Sequence, residues 1–561
     1  MFLKTLNITF HVSLTGIVIG AIVSLCSIGF VFGVQSAADF RVNFDSCLFG
    51  IGGLCFAISP LLFLILTATL IIIVKKYLNI SRYHGPADVI LSAHSNDAEL
   101  DIKTGFLSTF SAFVSASGGA SVGQYGPLVH LGGTIGSLIK KYTQTMLTRD
   151  VFIGCGVAAA ISAGFNSPIG GIIFAHEAIL RHFSFRAIAP IAVSSVVSAT
   201  IANQFFPTGI LFQNTDSNIA VLPSVSISLL LGPLCAIIAV MFMRGLLSLQ
   251  ANLIKVSSSE VHRIYIAAVI CGLCGGFIPE ILGLGGETIE GMLANSYSLS
   301  FLFIILIFKL FVTIICLSMG FFGGVFSPAL VLGASIGAIF TVLASRLGIN
   351  ILGDSLILAA MAALSASVIG APIASIVIIF ELTQSYDLAF VAITCVASSC
   401  VISTVIFGHS FFDKQLLNRN FKISRGRTEI LLSEITVKDL LGKNNYLKVG
   451  NEISQEQLLQ TFDKSEFTEA YFVNDENVLL GKIKVNAILS KTKKSIPKDT
   501  SPLTLNSNLN ISEAIVKVSN FVGESIPVVD GHNKLLGVLN EADLFLEYLK
   551  VQDAISYIEK D

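Results

Sequence analysis

Tryptophan is absent from this chain, and charge is scarce: 13% of its 561 residues are Asp, Glu, Lys or Arg. A soluble globular domain carries roughly 25% charged residues, so an ordinary soluble fold is excluded. No cysteine follows Cys400, and the ten present sit mostly in apolar runs. No disulfide framework or metal spacing emerges from them. The C-x-x-C at Cys271 and Cys274 lies in an apolar, glycine-rich run and reads as packing. No catalytic constellation appears, so an enzyme is not expected. The net charge of −2 says little alone, and no nucleic-acid partner is expected. Residues 8–34 lack a cleavage signature and are too long for a signal h-region, so they are expected to stay as a span.

What is present is apolar: 53% hydrophobic residues and a mean hydropathy of +0.79. That is the composition of a polytopic membrane protein, with aromatic belts left to 41 Phe and 11 Tyr. Spans are expected near 12–32 and 51–74, and later near 225–243, 264–279, 298–317, 328–347, 355–380 and 388–407. Lys75, Lys76 and Arg82 follow the second span. Basic residues favour the inner face, so the chain is expected to start inside. Many runs are too short, or too broken by Gly and Pro, to span upright. Tilted and re-entrant helices are therefore expected.

The chain is organised around residues 119–136, GASVGQYGPLVHLGGTIG. A Gly/Pro-interrupted stretch among apolar segments is tolerable in lipid only where its backbone is buried or lines a cavity. Gly123-Gln124-Tyr125-Gly126-Pro127 leads into an apolar helix start. A helix that begins inside a membrane aims free N–H groups and a positive dipole end at its surroundings, which makes an anion site. The pattern recurs from Gly324-Val325-Phe326-Ser327-Pro328 to Gly337, and the tract from Pro168 to Glu177 recurs from Pro372 to Glu381. Two homologous halves with matched broken helices are the signature of a repeat-built transporter. Glu177 and Glu381, placed alike, are expected to bind backbone N–H groups at helix breaks. From Lys422 charge rises and strands appear. Glu469 to Ile483 aligns with Ser525 to Leu539, so the tail reads as a tandem of small α/β modules.

These motifs resemble those of the CLC chloride channels and proton–chloride exchangers, with a tail similar to a pair of CBS modules. The resemblance implies an α-helical polytopic membrane protein of two inverted repeats, built from tilted and re-entrant helices, with a cytoplasmic α/β CBS tandem. Domains are expected at 1–415 (halves about 8–206 and 221–415) and 422–561 (modules about 430–495 and 500–555). A homodimer in an inner or plasma membrane is implied, with lipid around it, chloride or a similar small anion as cargo, and both termini cytoplasmic. By position, the anion would meet His84, Gly85, Tyr125, Gly126, Val325, Phe326 and Phe412. The family's gating glutamate in its G-x-E-G-P tract is Tyr125 here, and its inner proton-accepting acid is Ala178. The serine and tyrosine of the family's central site become His84 and Phe412. Loss of both acids favours passive anion movement; the alternative is exchange through other acceptors, such as His84 or His176. Asp543 stands where CBS modules hold a ribose, which makes adenine nucleotide a candidate ligand.

Overall fold

The computed structural model describes residues 2–44, 47–51, 54–95, 99–143, 145, 147–183, 185–205, 221–257, 259–351, 354–419, 421, 432, 435–442, 446–489, 496 and 498–560. The expected boundaries at 206, 422, 430 and 495 lie outside the described residues. The chain divides into two compact units, Met1–Asn420 and Phe421–Asp561.

The first unit is helical. It runs α1 (Phe2–Val42), a hairpin of β1 (Cys47–Ile51) and β2 (Leu54–Ala57), then α2 (Ser59–Tyr77), α3 (Pro86–His94) and α4 (Ile102–Ser117). It continues with α5 (Tyr125–Tyr142), α6 (Arg149–Phe165), α7 (Pro168–Phe174), a π-helical turn (Ala175–Leu180) and α8 (Phe185–Phe205). The second half holds α9 (Val221–Ala251), α10 (Leu253–Val256), α11 (Glu260–Phe277), α12 (Gly286–Leu293), α13 (Leu299–Met319) and α14 (Phe326–Arg346). It ends with α15 (Ser355–Ile369), α16 (Pro372–Thr383), α17 (Tyr386–Phe407) and α18 (Phe411–Leu417). Among the described residues, eight helices are long and apolar enough to cross a membrane.

Two expected spans are corrected. Residue 51 ends a strand rather than opening a helix, and α2 starts only at Ser59, where Pro60 fits a first turn that needs no N–H. The run 355–380 is two helices, broken at Gly370, which takes a φ of 81° that favours glycine, and restarted at Pro372.

The halves repeat in packing as well as in sequence. α1 lies on α8 as α9 lies on α17, and α5 lies on α6 as α14 lies on α15. Small residues set that closeness. A Cβ at Gly156 would fall 1.9 Å from the Gly132 carbonyl oxygen, so α5 and α6 touch backbone to backbone. α6 and α15 are buried almost throughout and form the centre of each half.

The second unit contains two like sheets. β3 (Leu447–Gly450) pairs parallel with β4 (Glu469–Val473), which pairs antiparallel with β5 (Leu479–Lys484). β6 (Leu505–Asn506), β7 (Ile526–Val529) and β8 (Leu535–Leu539) repeat that order. Helices α19 (Gln455–Asp463), α20 (Val485–Leu489), α21 (Ile511–Val518) and α22 (Glu541–Lys560) accompany them. The hairpins turn through Asn477 (φ 67°) and Asn533 (φ 60°), as Asn tolerates the left-handed region. The turns also bond each other: Leu479 N–H donates to Asn533 O and Leu535 N–H to Asn477 O, both at 2.9 Å. Tyr471, Val473, Leu479, Val529, Leu535 and Val538 form the apolar seam between modules.

At the edge of that seam sits a buried ion pair, Lys482 Nζ to Glu469 Oε2 at 2.6 Å, with side chains 6% and 3% exposed. Glu469 also accepts from the N–H groups of Ser525 (3.0 Å) and Glu524 (3.3 Å). Burial works to raise the Glu469 carboxyl, but Lys482 and these N–H groups overcome it and hold it below its usual range. A depressed carboxyl stabilises the fold above its unfolded-state pKa, and the gain is lost as pH falls. The tail's denaturation midpoint should therefore be flat around neutrality and drop below about pH 4. Lys482→Met, which leaves the carboxylate to Lys484 Nζ at 3.7 Å and to the N–H groups of Glu524 and Ser525, should destabilise the tail by about 2 kcal/mol at neutral pH. Urea unfolding followed by tyrosine fluorescence reads both; an unchanged midpoint in Lys482→Met would show the pair to be idle.

Candidate functional site: convergent helix starts at Gly126

The two repeated broken helices meet at their N-termini. Gly123 N–H donates to Gly324 O (2.8 Å), and Gly324 N–H donates to Gly123 O (2.6 Å). Equivalent residues of the two halves thus form an antiparallel bridge across a local two-fold. Gln124 N–H adds a bond to Ser327 Oγ at 3.3 Å. At Gly126 a Cβ would lie 2.9 Å from Gly324 Cα and 3.7 Å from Pro86 Cγ. The starts of α3, α5 and α14 therefore crowd around one glycine. Helix starts leave N–H groups without intrahelical partners, and Pro127 and Pro328 fit such first turns because they have none to satisfy.

Tyr125 opens α5. Its ring stacks on Phe165 at 3.7 Å between centroids and meets Phe326 edge-on at 5.4 Å. Its hydroxyl donates to Gly164 O at 3.2 Å. The phenol that sequence reasoning offered to an anion is thus spent on a backbone carbonyl, and the ring belongs to a three-ring aromatic cluster. Val325 caps α14 and Phe326 is its first residue; both are buried.

The other expected residues are placed as follows. Gly85 caps α3, and its N–H donates to Asp88 Oδ2 at 2.9 Å, so a carboxylate already occupies that donor. Asp88 is held in turn by Arg82 (2.6 Å) and Arg419 (2.9 Å). His84 N–H donates to Ser108 Oγ at 2.9 Å, and its ring lies 5.9 Å from that of His130. Phe412 is buried in the first turn of α18 with its ring against Phe411. Asp413 ion-pairs with Arg181 and with Ser410 closes the cap of α18.

Ala178 lies buried in the π-helical turn beside Glu177. Glu177 accepts from Ile373 N–H (3.0 Å) and Ala374 N–H (2.7 Å) at the start of α16. Glu381 accepts from Ile169 N–H (2.9 Å), Gly170 N–H (2.8 Å) and Ser167 Oγ at the start of α7. Each repeat's carboxylate caps the other repeat's helix, as their matched positions imply. His176 has its Nδ1 2.9 Å from His182 O. In the tail, Asp543 accepts from Asn540 N–H at 2.9 Å and so caps its own helix.

Sequence reasoning passed over three residues. Phe165 completes the cluster around Tyr125. His130 is wholly buried on α5. Lys309, also 0% exposed, donates to the carbonyls of Ile281 (2.9 Å) and Gly283 (3.0 Å). A lone lysine within the apolar run of α13 was the available signal for the last. Beside Tyr125 opens a cavity of about 460 Å³ that also reaches Arg41, Gln124, Glu280, Glu287 and Thr288.

Comparison with known proteins agrees with this geometry. Residues 62–404 match the model of the voltage gated chloride channel family, and residues 494–550 match the CBS domain. The H(+)/Cl(-) exchange transporter ClcA of Vibrio cholerae serotype O1 (strain M66-2) is 27% identical over 328 residues, 56% of this chain and 69% of the relative. The protein of the same name from Vibrio parahaemolyticus serotype O3:K6 (strain RIMD 2210633) is 27% identical over 337 residues, 57% of this chain and 71% of the relative. The crystal structure of a slow cyanobacterial Cl-/H+ antiporter superimposes with a TM-score of 0.64 at 20% identity, over 73% of this chain and 97% of that one. A eukaryotic CLC transporter superimposes with a TM-score of 0.61 at 17% identity, over 97% of this chain and 99% of that one. With the family model spanning more than half of its length, the chain belongs to the voltage gated chloride channel family: it is an integral membrane protein for anion transport that carries a C-terminal CBS region.

Proposed function

We propose that this chain forms a homodimer that passes chloride, or a similar small anion, without stoichiometric proton exchange. One observation carries the reading: the head of α5 presents Tyr125, a phenol locked to Gly164 O and two Phe rings, where a displaceable carboxylate would have to carry a proton. A phenol stays neutral at physiological pH, so it neither competes with chloride as an anion nor carries a proton in exchange for it. Ala178 supplies no second acceptor, and Glu177 beside it is consumed by two N–H groups. The anion would meet the backbone N–H groups of Tyr125, Gly126, Val325 and Phe326, with the rings of His84 and Phe412 at the rim. Gly85 contributes its Asp88-capped turn rather than a free donor.

A second reading, proton-linked exchange, is favoured by Glu280 and Glu287, the acids in the cavity beside Tyr125, and by the H(+)/Cl(-) exchange for which the Vibrio relatives are named. Chloride and proton fluxes measured together in sealed vesicles separate the two. The expected result is chloride movement with no uphill proton movement under an outward chloride gradient; stoichiometric proton pumping would sink the uncoupled reading.

Domains at 1–415 and 422–561 remain part of the proposal, with the tail and both termini in the cytoplasm of an inner or plasma membrane. Lys75, Lys76 and Arg82 after α2 support that sidedness. Adenine nucleotide is the candidate ligand of the tail through Asp543. Binding would have to displace its bond to Asn540 N–H. Titration of ATP into the full chain checks this, and silence at millimolar nucleotide would remove the ligand.

A further inference from the structure

His130 is 0% exposed, and neither of its ring nitrogens has a hydrogen-bond partner. The ring beside it is His84, with centroids 5.9 Å apart and planes at 74°. His84 Nδ1 is also buried and without a partner. Buried polar atoms in folded proteins are satisfied by protein or by a small polar guest. Three open imidazole nitrogens in one contact pair therefore call for a guest.

The pair stands behind the helix starts. Gly126 and His130 are four residues apart on α5 and share its face, while Pro86 meets Gly126 and His84 meets His130. Four charged groups face the pair. Arg82, ahead of α3, and Arg419, after α18, both bind the single carboxylate of Asp88, whose other oxygen also takes Gly85 N–H. Asp101 also faces His84, but it is exposed and caps α4 through Lys103 N–H and Thr104. On α5 itself the Thr134 hydroxyl is bonded to His130 O at 2.8 Å. Arg82 and Arg419 balance Asp88 and Asp101, so the protonation of the rings themselves sets the guest's sign, an anion beside an imidazolium, and two rings alone are too few ligands to hold a metal.

We propose that His84 and His130 form a proton-dependent halide site. An imidazolium in this buried place is unfavourable unless an anion accompanies it, and a halide there is unfavourable unless a proton does. The two should therefore bind together, each raising the affinity for the other by the same factor. This deepens the proposed function, because it rests on the reading that the starts of α3, α5 and α14 line the anion path. It makes flux acid-sensitive without making it proton-coupled, because the ring takes its proton from one side and returns it to the same side as the halide leaves.

The test uses the full chain crystallised with bromide at about pH 5 and about pH 8, the range over which histidine titrates. The expected result is a bromide anomalous peak at the pair in acid, weak or absent in base. His130→Gln, which keeps hydrogen bonding but cannot titrate, should abolish that difference. In vesicles, the same substitution should flatten a chloride flux that rises in acid, by up to about tenfold per pH unit for one linked proton. Where His130→Gln fails to fold, His84→Gln serves in its place. Absence of an anomalous peak at both pH values overturns the site, as does a wild-type peak and pH profile in the Gln variant. The crystallographic readout does not depend on transport, so a protein that moved no chloride would defeat the proposed function and still leave this site tested.

Discussion

Tyr125→Ala should raise chloride flux roughly thirtyfold. In the resting geometry the ring is held by its stack on Phe165, its edge contact with Phe326 and one hydrogen bond to Gly164 O. The two aromatic contacts contribute about 0.5 kcal/mol each and a neutral hydrogen bond about another 1 kcal/mol. If the ring must leave this position for an anion to pass, the closed state is favoured by about 2 kcal/mol, which is roughly thirtyfold in population. Tyr125→Phe removes only the hydrogen bond and should raise flux about fivefold by the same conversion. Tyr125→Glu should install an anionic competitor at a helix start and make flux slower at neutral pH than in acid. It should not restore proton coupling, because Ala178 still offers no inner acceptor. Chloride efflux from vesicles for the four proteins, in acid and at neutral pH, gives the answer. Equal flux in wild type and Tyr125→Ala, with a pH dependence in Tyr125→Glu no steeper than that of wild type, would place the ring away from the pathway.

The repeat was legible because it is written twice in glycine and proline. Gly123 and Gly324 recur for a reason that the fold makes plain: they bond each other, and a side chain on Gly126 would strike the opposite backbone. Glu177 and Glu381 were readable on the same ground, as unusual acids in apolar runs that a shared structural role would explain. What the sequence hid was partnership. Nothing in the order of residues says that the Tyr125 hydroxyl turns to Gly164, because that choice is made by Phe165 arriving from the end of α6. Nor does it say that the Gly85 donor is taken by Asp88, since the same Gly-Pro-x-Asp spacing serves an anion site and a self-capped helix equally well. The hairpin before α2 was masked by hydropathy, which reads the apolar strand residues Leu54, Cys55, Phe56 and Ala57 as more of the span.

Glu381→Ala should be the most damaging single substitution in the membrane unit. The Glu381 carboxylate satisfies Ile169 N–H, Gly170 N–H and the Ser167 hydroxyl at the start of α7. Hydrogen bonds to a charged group contribute about 1.5–3 kcal/mol each, so losing three removes roughly 5 kcal/mol or more. That is comparable to the whole stability of many proteins. Glu177→Ala strands two donors, Ile373 N–H and Ala374 N–H, and should cost about 3–6 kcal/mol by the same reasoning. Glu381→Gln and Glu177→Gln retain an acceptor oxygen and should lose less than half as much. Thermal unfolding in detergent, with the folded fraction read by size-exclusion chromatography, ranks the four. The ordering also decides what the two acids are for. A structural cap predicts that both Gln variants, once reconstituted, move chloride at close to the wild-type rate. A Gln variant that folds well yet shows an altered pH dependence of transport would mean that the carboxylate carries a proton, and that the cap is only its resting place.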